Sequence, residues 1–167
     1  TETNNMLTAR NGFAGNGTST SALGYGQDDP ARSGLTESWN GTSWSEKADL
    51  STVRRQAGGL GADNESALTF GGENTTINLI TNTEEWNGST WTETGDLNTG
   101  RLGMAGTGIT TAGLASAGRQ VDPDSLRTET EQWNGSSWSE VNNVNTGRYG
   151  LFGSKLNYAD VFISGGY

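Results

Sequence analysis

The residues with the most chemistry to offer in this chain are ones it repeats. Six tryptophans fall in three pairs: Trp39 and Trp44, Trp86 and Trp91, Trp133 and Trp138. They sit in the near-identical stretches TESWNGTSWSE (36–46), TEEWNGSTWTE (83–93) and TEQWNGSSWSE (130–140). Exposed indoles stack on the faces of sugars; buried ones fill a core. An arginine follows the first Trp of each pair by 15 residues, giving Arg54, Arg101 and Arg148, with Arg10 as a fourth copy near the N-terminus. A ring of guanidinium groups would bind a carboxylate or an anionic sugar. One arginine per unit could instead bond backbone carbonyls in its own loop. The unchanged spacing favours the internal role for both sets, because function more often resides where repeats differ.

The copies differ most at 27–35 (QDDPARSGL), 73–82 (ENTTINLITN) and 119–128 (RQVDPDSLRT). Variable loops on a rigid scaffold commonly carry binding. The candidate binding residues are therefore Asp28, Asp29, Arg32, Glu73, Asn78, Asp122, Asp124 and Arg127, joined by Arg101 from the neighbouring loop. Asp28, Asp29, Asp122 and Asp124 supply the hard oxygens that Ca²⁺ takes, although Asp-Pro turn chemistry on a solvated surface is the favoured reading of them. No cofactor is expected beyond that weak Ca²⁺ option. Of the N-x-S/T sequons at Asn16, Asn40, Asn64, Asn74, Asn87 and Asn134, three are the hairpin asparagines and are by-products of a Ser/Thr-rich composition.

Composition removes several classes. The 167 residues contain no histidine and no cysteine, so the usual general base, thiolate ligands and disulfides are all missing. A net charge of −9 leaves no basic footprint for nucleic acid. No apolar run reaches the roughly 18 residues of a membrane span. Glycine is abundant at 26 residues, and Gly, Asn, Thr and Ser are poor helix formers. The chain starts with Thr1 inside a pattern repeated later, so a mature product or a segment of a longer chain is expected.

These residues need elements to position them. The first Trp of each pair recurs at 47 residues, a period that indicates a solenoid, propeller or array. The units run over about 5–46, 49–93, 96–140 and 143–167, the last incomplete. Each reads as four short strands, as in 102–108, 66–70, 83–86 and 91–93. Asn87-Gly88 marks a hairpin turn. A two-residue turn or a four-residue loop both leave the two indoles on one face, and the second makes them direct partners. One hairpin cannot bury two indoles, so each copy must cover the next. Four-stranded units packed around an axis make a β-propeller, with glycines such as Gly103, Gly106 and Gly108 allowing close approach at the centre. The fold class expected is all-β: three full blades and a partial one.

The order Phe70-Gly71-Gly72, Trp86, Trp91, then Asn98-Thr99-Gly100-Arg101 before Leu102-Gly103 resembles the kelch repeat. It departs in having Trp for the usual Tyr of strand 3, a shorter turn, and Ala117-Gly118 for one double glycine. The resemblance covers nearly the whole chain and implies a propeller fold. The WNGSSW hairpins and N-T-G-R loops are most similar in style to kelch-type repeats of bacteriophage virion proteins. That implies a non-enzymatic structural or recognition module of a fibre or surface decoration, extracellular or on the virion. Its partners would be other virion or appendage subunits, further repeats of a longer chain, or cell-surface glycan, with no membrane insertion. Two other classes remain. A sialidase-like enzyme would need an arginine trio, a tyrosine nucleophile and acids; Tyr25, Tyr149, Tyr158 and Tyr167 stand in no such constellation. A peptide-binding kelch adaptor is the third.

Overall fold

The computed structural model describes residues 4–28, 31–76, 78–121, 125–153 and 163–166. All the described regular structure is β. The first sheet runs β1 (Ala14–Gly17), β2 (Ala22–Gln27), β3 (Ser33–Trp39) and β4 (Trp44–Lys47). The second runs β5 (Gly58–Gly61), β6 (Ala67–Phe70), β7 (Thr83–Trp86) and β8 (Trp91–Thr94). The third runs β9 (Ala105–Ile109), β10 (Ala112–Ser116), β11 (Thr130–Trp133) and β12 (Trp138–Val141). A last pair, β13 (Leu151–Gly153) and β14 (Ile163–Gly165), repeats only the first two strands. Each sheet is an antiparallel meander in sequence order, so the expected blade-like units are present.

The outer hairpin closes through four residues, not two. Trp39 pairs with Trp44, Trp86 with Trp91 and Trp133 with Trp138 across the ladder. The asparagine side chain explains the longer loop. Asn87 Oδ1 accepts from the backbone N–H of Ser89 and Thr90, both at 3.0 Å. Gly88 takes φ +93°, which a side chain would resist. An Asx-capped loop thus replaces the two-residue turn that Asn-Gly most often signals.

The paired indoles pack backwards, onto the preceding sheet. Trp86 and Trp91 join Ala14, Leu23 and Tyr25 of the first unit, and Leu50 at the start of the second, in one core. Trp133 and Trp138 join Leu60, Leu68 and Phe70 of the second. Tyr25 meets Trp91 edge-on with ring centroids 4.9 Å apart, and Phe70 meets Trp138 in the same way at 4.7 Å. Such pairs add about 1 kcal/mol to plain burial. In the third sheet Ser116 stands where the aromatic would be.

The first strands of all four units line one central cavity through Gly15, Gly59, Gly106 and Gly153. A Cβ on Gly106 would fall 2.2 Å from Gly59 O, and one on Gly153 would fall 2.2 Å from Gly106 O. Gly106 therefore acts as expected. Gly108 does not: its φ of +108° and close contact to Ala112 O belong to its own hairpin. The strand expected over 102–108 begins later, at Ala105. Leu102 is held by an isolated bridge to Arg119, and Gly103 turns the chain with φ +63°.

That turn recurs two residues after each arginine. Gly12, Gly103 and Gly150 have φ between +61° and +71°, but in the second unit the position is Gln56, at φ +49°. Its buried Oε1 has no hydrogen-bond partner among the described residues. Gln56→Gly removes both the left-handed strain and the orphaned oxygen, against a modest gain in unfolded-chain entropy. The expected result is about 1 kcal/mol of added stability, raising Tm by roughly 2–4 °C. A lower Tm in calorimetry would contradict this account.

Candidate functional site

Three of the four repeated arginines are held inside the fold; Arg148 is exposed. The Arg10, Arg54 and Arg101 side chains are at most 1% exposed, and each faces an equally buried glutamate on the third strand of its own unit: Glu37, Glu84 and Glu131. Arg54 Nη2 lies 2.7 Å from Glu84 Oε1, and Arg101 Nη1 lies 2.9 Å from Glu131 Oε1. Other donors meet carbonyls, in line with the internal reading: Arg54 Nη1 donates to Gly71 O and Asn82 O, and Arg101 Nη2 to Ala115 O, while the buried Arg101 Nε has no partner among the described residues. Each glutamate also accepts from the backbone of the incoming loop. Ser51 N donates to Glu84 at 2.8 Å, Asn98 N to Glu131 at 2.7 Å and Leu7 N to Glu37 at 2.8 Å.

Burial pushes the Arg54 and Arg101 guanidinium pKa values below the ordinary arginine value, and the facing glutamates oppose that push. Arginine starts so far above neutrality that both stay charged. Arg10, Arg54 and Arg101 therefore cannot form an exposed anion-binding ring, and Arg101 leaves the candidate binding set. Sequence reading missed their partners. The available signal was the glutamate of T-E-x-W, two residues before a buried Trp and so on the same face of the strand.

The tryptophans are core residues, with one difference. Trp39, Trp86, Trp91, Trp133 and Trp138 are buried, whereas Trp44 is half-buried. Within the core, Trp91 Nε1 donates to Thr36 Oγ1 and Trp138 Nε1 to Thr83 Oγ1, both at 3.0 Å.

Three of the variable-loop candidates come together as one ion cluster. Arg55 Nη1 lies 2.7 Å from Asp28 Oδ2, and Arg55 Nη2 lies 2.6 Å from Glu73 Oε2. Arg32 is 3.6 Å from Asp28 and 3.4 Å from Glu73, and donates to Asn74 O. Burial works against the Arg55 charge, but its hydrogen bonds to Asp28 and Glu73 outweigh it and hold the pKa above the usual arginine value. Two cations and two anions cancel, so the cluster ties the first loop to the second instead of presenting a net charge. Arg55 was not foreseen; it stands where other units have Asn11, Leu102 and Tyr149. Asp28 is thus already engaged, and Asp29, Asp122 and Asp124 lie outside the described residues. Among the described residues, no group of three or more acidic side chains is placed to hold a metal ion. Arg127 makes a 3.3 Å ion pair with Glu129, with both side chains more than a quarter exposed.

Of the foreseen residues, Asn78 sits at a surface concavity. A shallow groove of about 510 Å³ runs between the variable loops of the second and third units and is floored by the loop that joins them. Asn78, Leu79, Thr81, Thr99, Gln120 and Val121 line it. Hydrogen bonds tie parts of the second unit's variable loop together. Asn74 Oδ1 accepts from Thr76 N at 3.0 Å and Asn78 N at 3.1 Å, and Asn78 Nδ2 donates to Thr76 Oγ1 at 3.0 Å. Amides, hydroxyls and two aliphatic side chains suit a neutral polyhydroxylated ligand. They supply no nucleophile with an adjacent base. The groove itself was only half legible in the sequence. The variable loops were, but the contribution of Thr99 was hidden in a repeated segment. The chain matches no protein-family model and no curated protein.

Proposed function

We propose that the units form a kelch-like β-propeller, acting as a non-enzymatic structural and recognition module of an extracellular or virion appendage such as a phage fibre or surface protein. Its loop edge contacts host-surface glycan. The observation that carries this reading is the groove at Asn78 and Gln120. Arg10, Arg54 and Arg101, their glutamates and five of the six tryptophans are consumed inside the fold, while amides and hydroxyls from loops that differ between units face solvent together. At net charge −9 the protein repels anionic sugars, so neutral oligosaccharides are the class expected.

Titration of the protein with a panel of neutral oligosaccharides, followed by NMR chemical shifts, tests it. Shifts should cluster at 78–81, 98–100 and 120–121. Asn78→Ala and Gln120→Ala should each weaken binding about 2- to 10-fold, the worth of a neutral hydrogen bond. Shifts elsewhere, or turnover of a glycoside, would overturn the reading.

A further inference from the structure

We propose that the three outer-hairpin loops are sites of self-modification, at which Asn40, Asn87 and Asn134 lose ammonia and become aspartyl residues through attack of the following glycine nitrogen on their own side-chain carbonyl. The inference stands apart from the propeller and glycan readings.

Three observations converge on these asparagines. Each is exposed and is followed by a glycine (Gly41, Gly88 or Gly135), which has no side chain to shield the attacking nitrogen. The N–H of each of those glycines donates to nothing among the described residues, so no hydrogen bond must break before it loses its proton. Each asparagine Oδ1 accepts two backbone N–H groups. Those of Thr42 and Ser43 lie at 2.9 Å from Asn40, those of Ser89 and Thr90 at 3.0 Å from Asn87, and those of Ser136 and Ser137 at 2.9 Å and 3.0 Å from Asn134. These donors stand where negative charge gathers when the Cγ carbonyl is attacked, the arrangement of an oxyanion hole. They also hold the side chain against its own turn, which limits the motion the reacting carbon must otherwise lose.

The step needs water and no other reagent. The glycine nitrogen gives its proton to solvent and bonds to Cγ. The bond from Cγ to Nδ2 breaks, and that nitrogen takes a proton from solvent and leaves as ammonia. Water then opens the five-membered imide, giving aspartate or the isoaspartate whose chain runs through the side chain. In the aspartyl form a carboxylate oxygen inherits both N–H groups, and its charge strengthens those bonds, so the loop survives. Each event adds one negative charge to a chain already at −9. The molecule carries its own controls. Asn11 is exposed and followed by Gly12, but nothing donates to its Oδ1 among the described residues. Asn16 precedes Gly17, but its Oδ1 is buried without a donor and its Nδ2 donates to Asp63 O at 2.6 Å. Asn74 has the donors, Thr76 N at 3.0 Å and Asn78 N at 3.1 Å, but is followed by Thr75.

The test is incubation of the folded chain in mildly alkaline buffer, with timed samples digested at acid pH and the asparaginyl, aspartyl and isoaspartyl peptides quantified by mass spectrometry. Asn40, Asn87 and Asn134 should convert about fivefold or more faster than Asn11, the worth of the added hydrogen bonds. Asn16 and Asn74 should convert more slowly than Asn11. A parallel incubation in guanidinium chloride removes the fold. There the five Asn-Gly pairs, at Asn11, Asn16, Asn40, Asn87 and Asn134, should converge on one rate, below that of the folded hairpins. Hairpin asparagines that react no faster than Asn11, or more slowly folded than unfolded, overturn the proposal. So does conversion of Asn74 as fast as that of Asn87, because the glycine would then contribute nothing.

Discussion

Arg101→Met is expected to lower the unfolding free energy by about 3–5 kcal/mol, while Arg148→Met at the matching position of the last unit changes it by less than about 0.5 kcal/mol. The two arginines occupy the same place in the repeat and differ in surroundings. Arg101 is fully buried, and its removal strands the Glu131 carboxylate in the interior with only Asn98 to bond it. The large cost is that of an uncompensated buried charge, not the net worth of the pair, which desolvation largely cancels. Arg101→Lys should recover little. The two terminal nitrogens of the guanidinium serve Glu131 and Ala115 O at once, which one ammonium on a flexible stem cannot reproduce. Urea denaturation followed by tryptophan fluorescence gives all three numbers. Equal effects at Arg101 and Arg148 would show that burial of the ion pair is not what the repeat arginine provides.

Gly106→Ala is expected to cost about 3 kcal/mol, the upper end for an overpacked site. The added methyl carbon would sit 2.2 Å from Gly59 O and 2.8 Å from Gly59 C. Those are backbone atoms, so no rotamer change relieves the clash; the second and third sheets must part. Gly100→Ala is the control. Its methyl approaches nothing closer than Ile80 O at 3.1 Å, and a loss under about 1 kcal/mol follows. Chemical denaturation of both variants checks the pair. If Gly106→Ala is as mild as Gly100→Ala, the central strands are not in contact through their glycines.

The contrast between these sites shows what the sequence made legible. Period and strand count were readable because the indoles recur at fixed spacing and the strands between are too rich in Gly, Thr and Ser for helix. The observed β7, Thr83–Trp86, coincides with its expected bounds. Strand 1 did not, because Leu102 and Met104 look like strand residues while the positive φ at Gly103 delays the ladder to Ala105. The loop after Trp86 was ambiguous because Asn-Gly serves two turns, and the choice is made by an asparagine side chain capping Ser89 and Thr90. The site was less readable than the fold. Asp28, Arg32 and Glu73 look like free binding groups in one dimension. Only the folded chain brings Arg55, 27 residues from Asp28, into contact with both acids. Ion pairs of that range leave no periodic trace, and the variable loops that hold them have no second copy to compare.

The indole-to-threonine bonds all point the same way, from each unit to the one before it. Among the described residues these bonds couple each unit to its neighbour, in the manner of a repeat array. Stability then reduces to two kinds of quantity, one for forming a unit and one for joining it to the last. A defect such as Ser116 in place of an aromatic weakens a single junction and leaves the others at full strength. Such a protein can drift in sequence at one end, or gain and lose whole copies by duplication, without any change rippling through the rest. The three near-identical hairpins beside a degraded Ala117-Gly118 are the pattern that this freedom leaves behind.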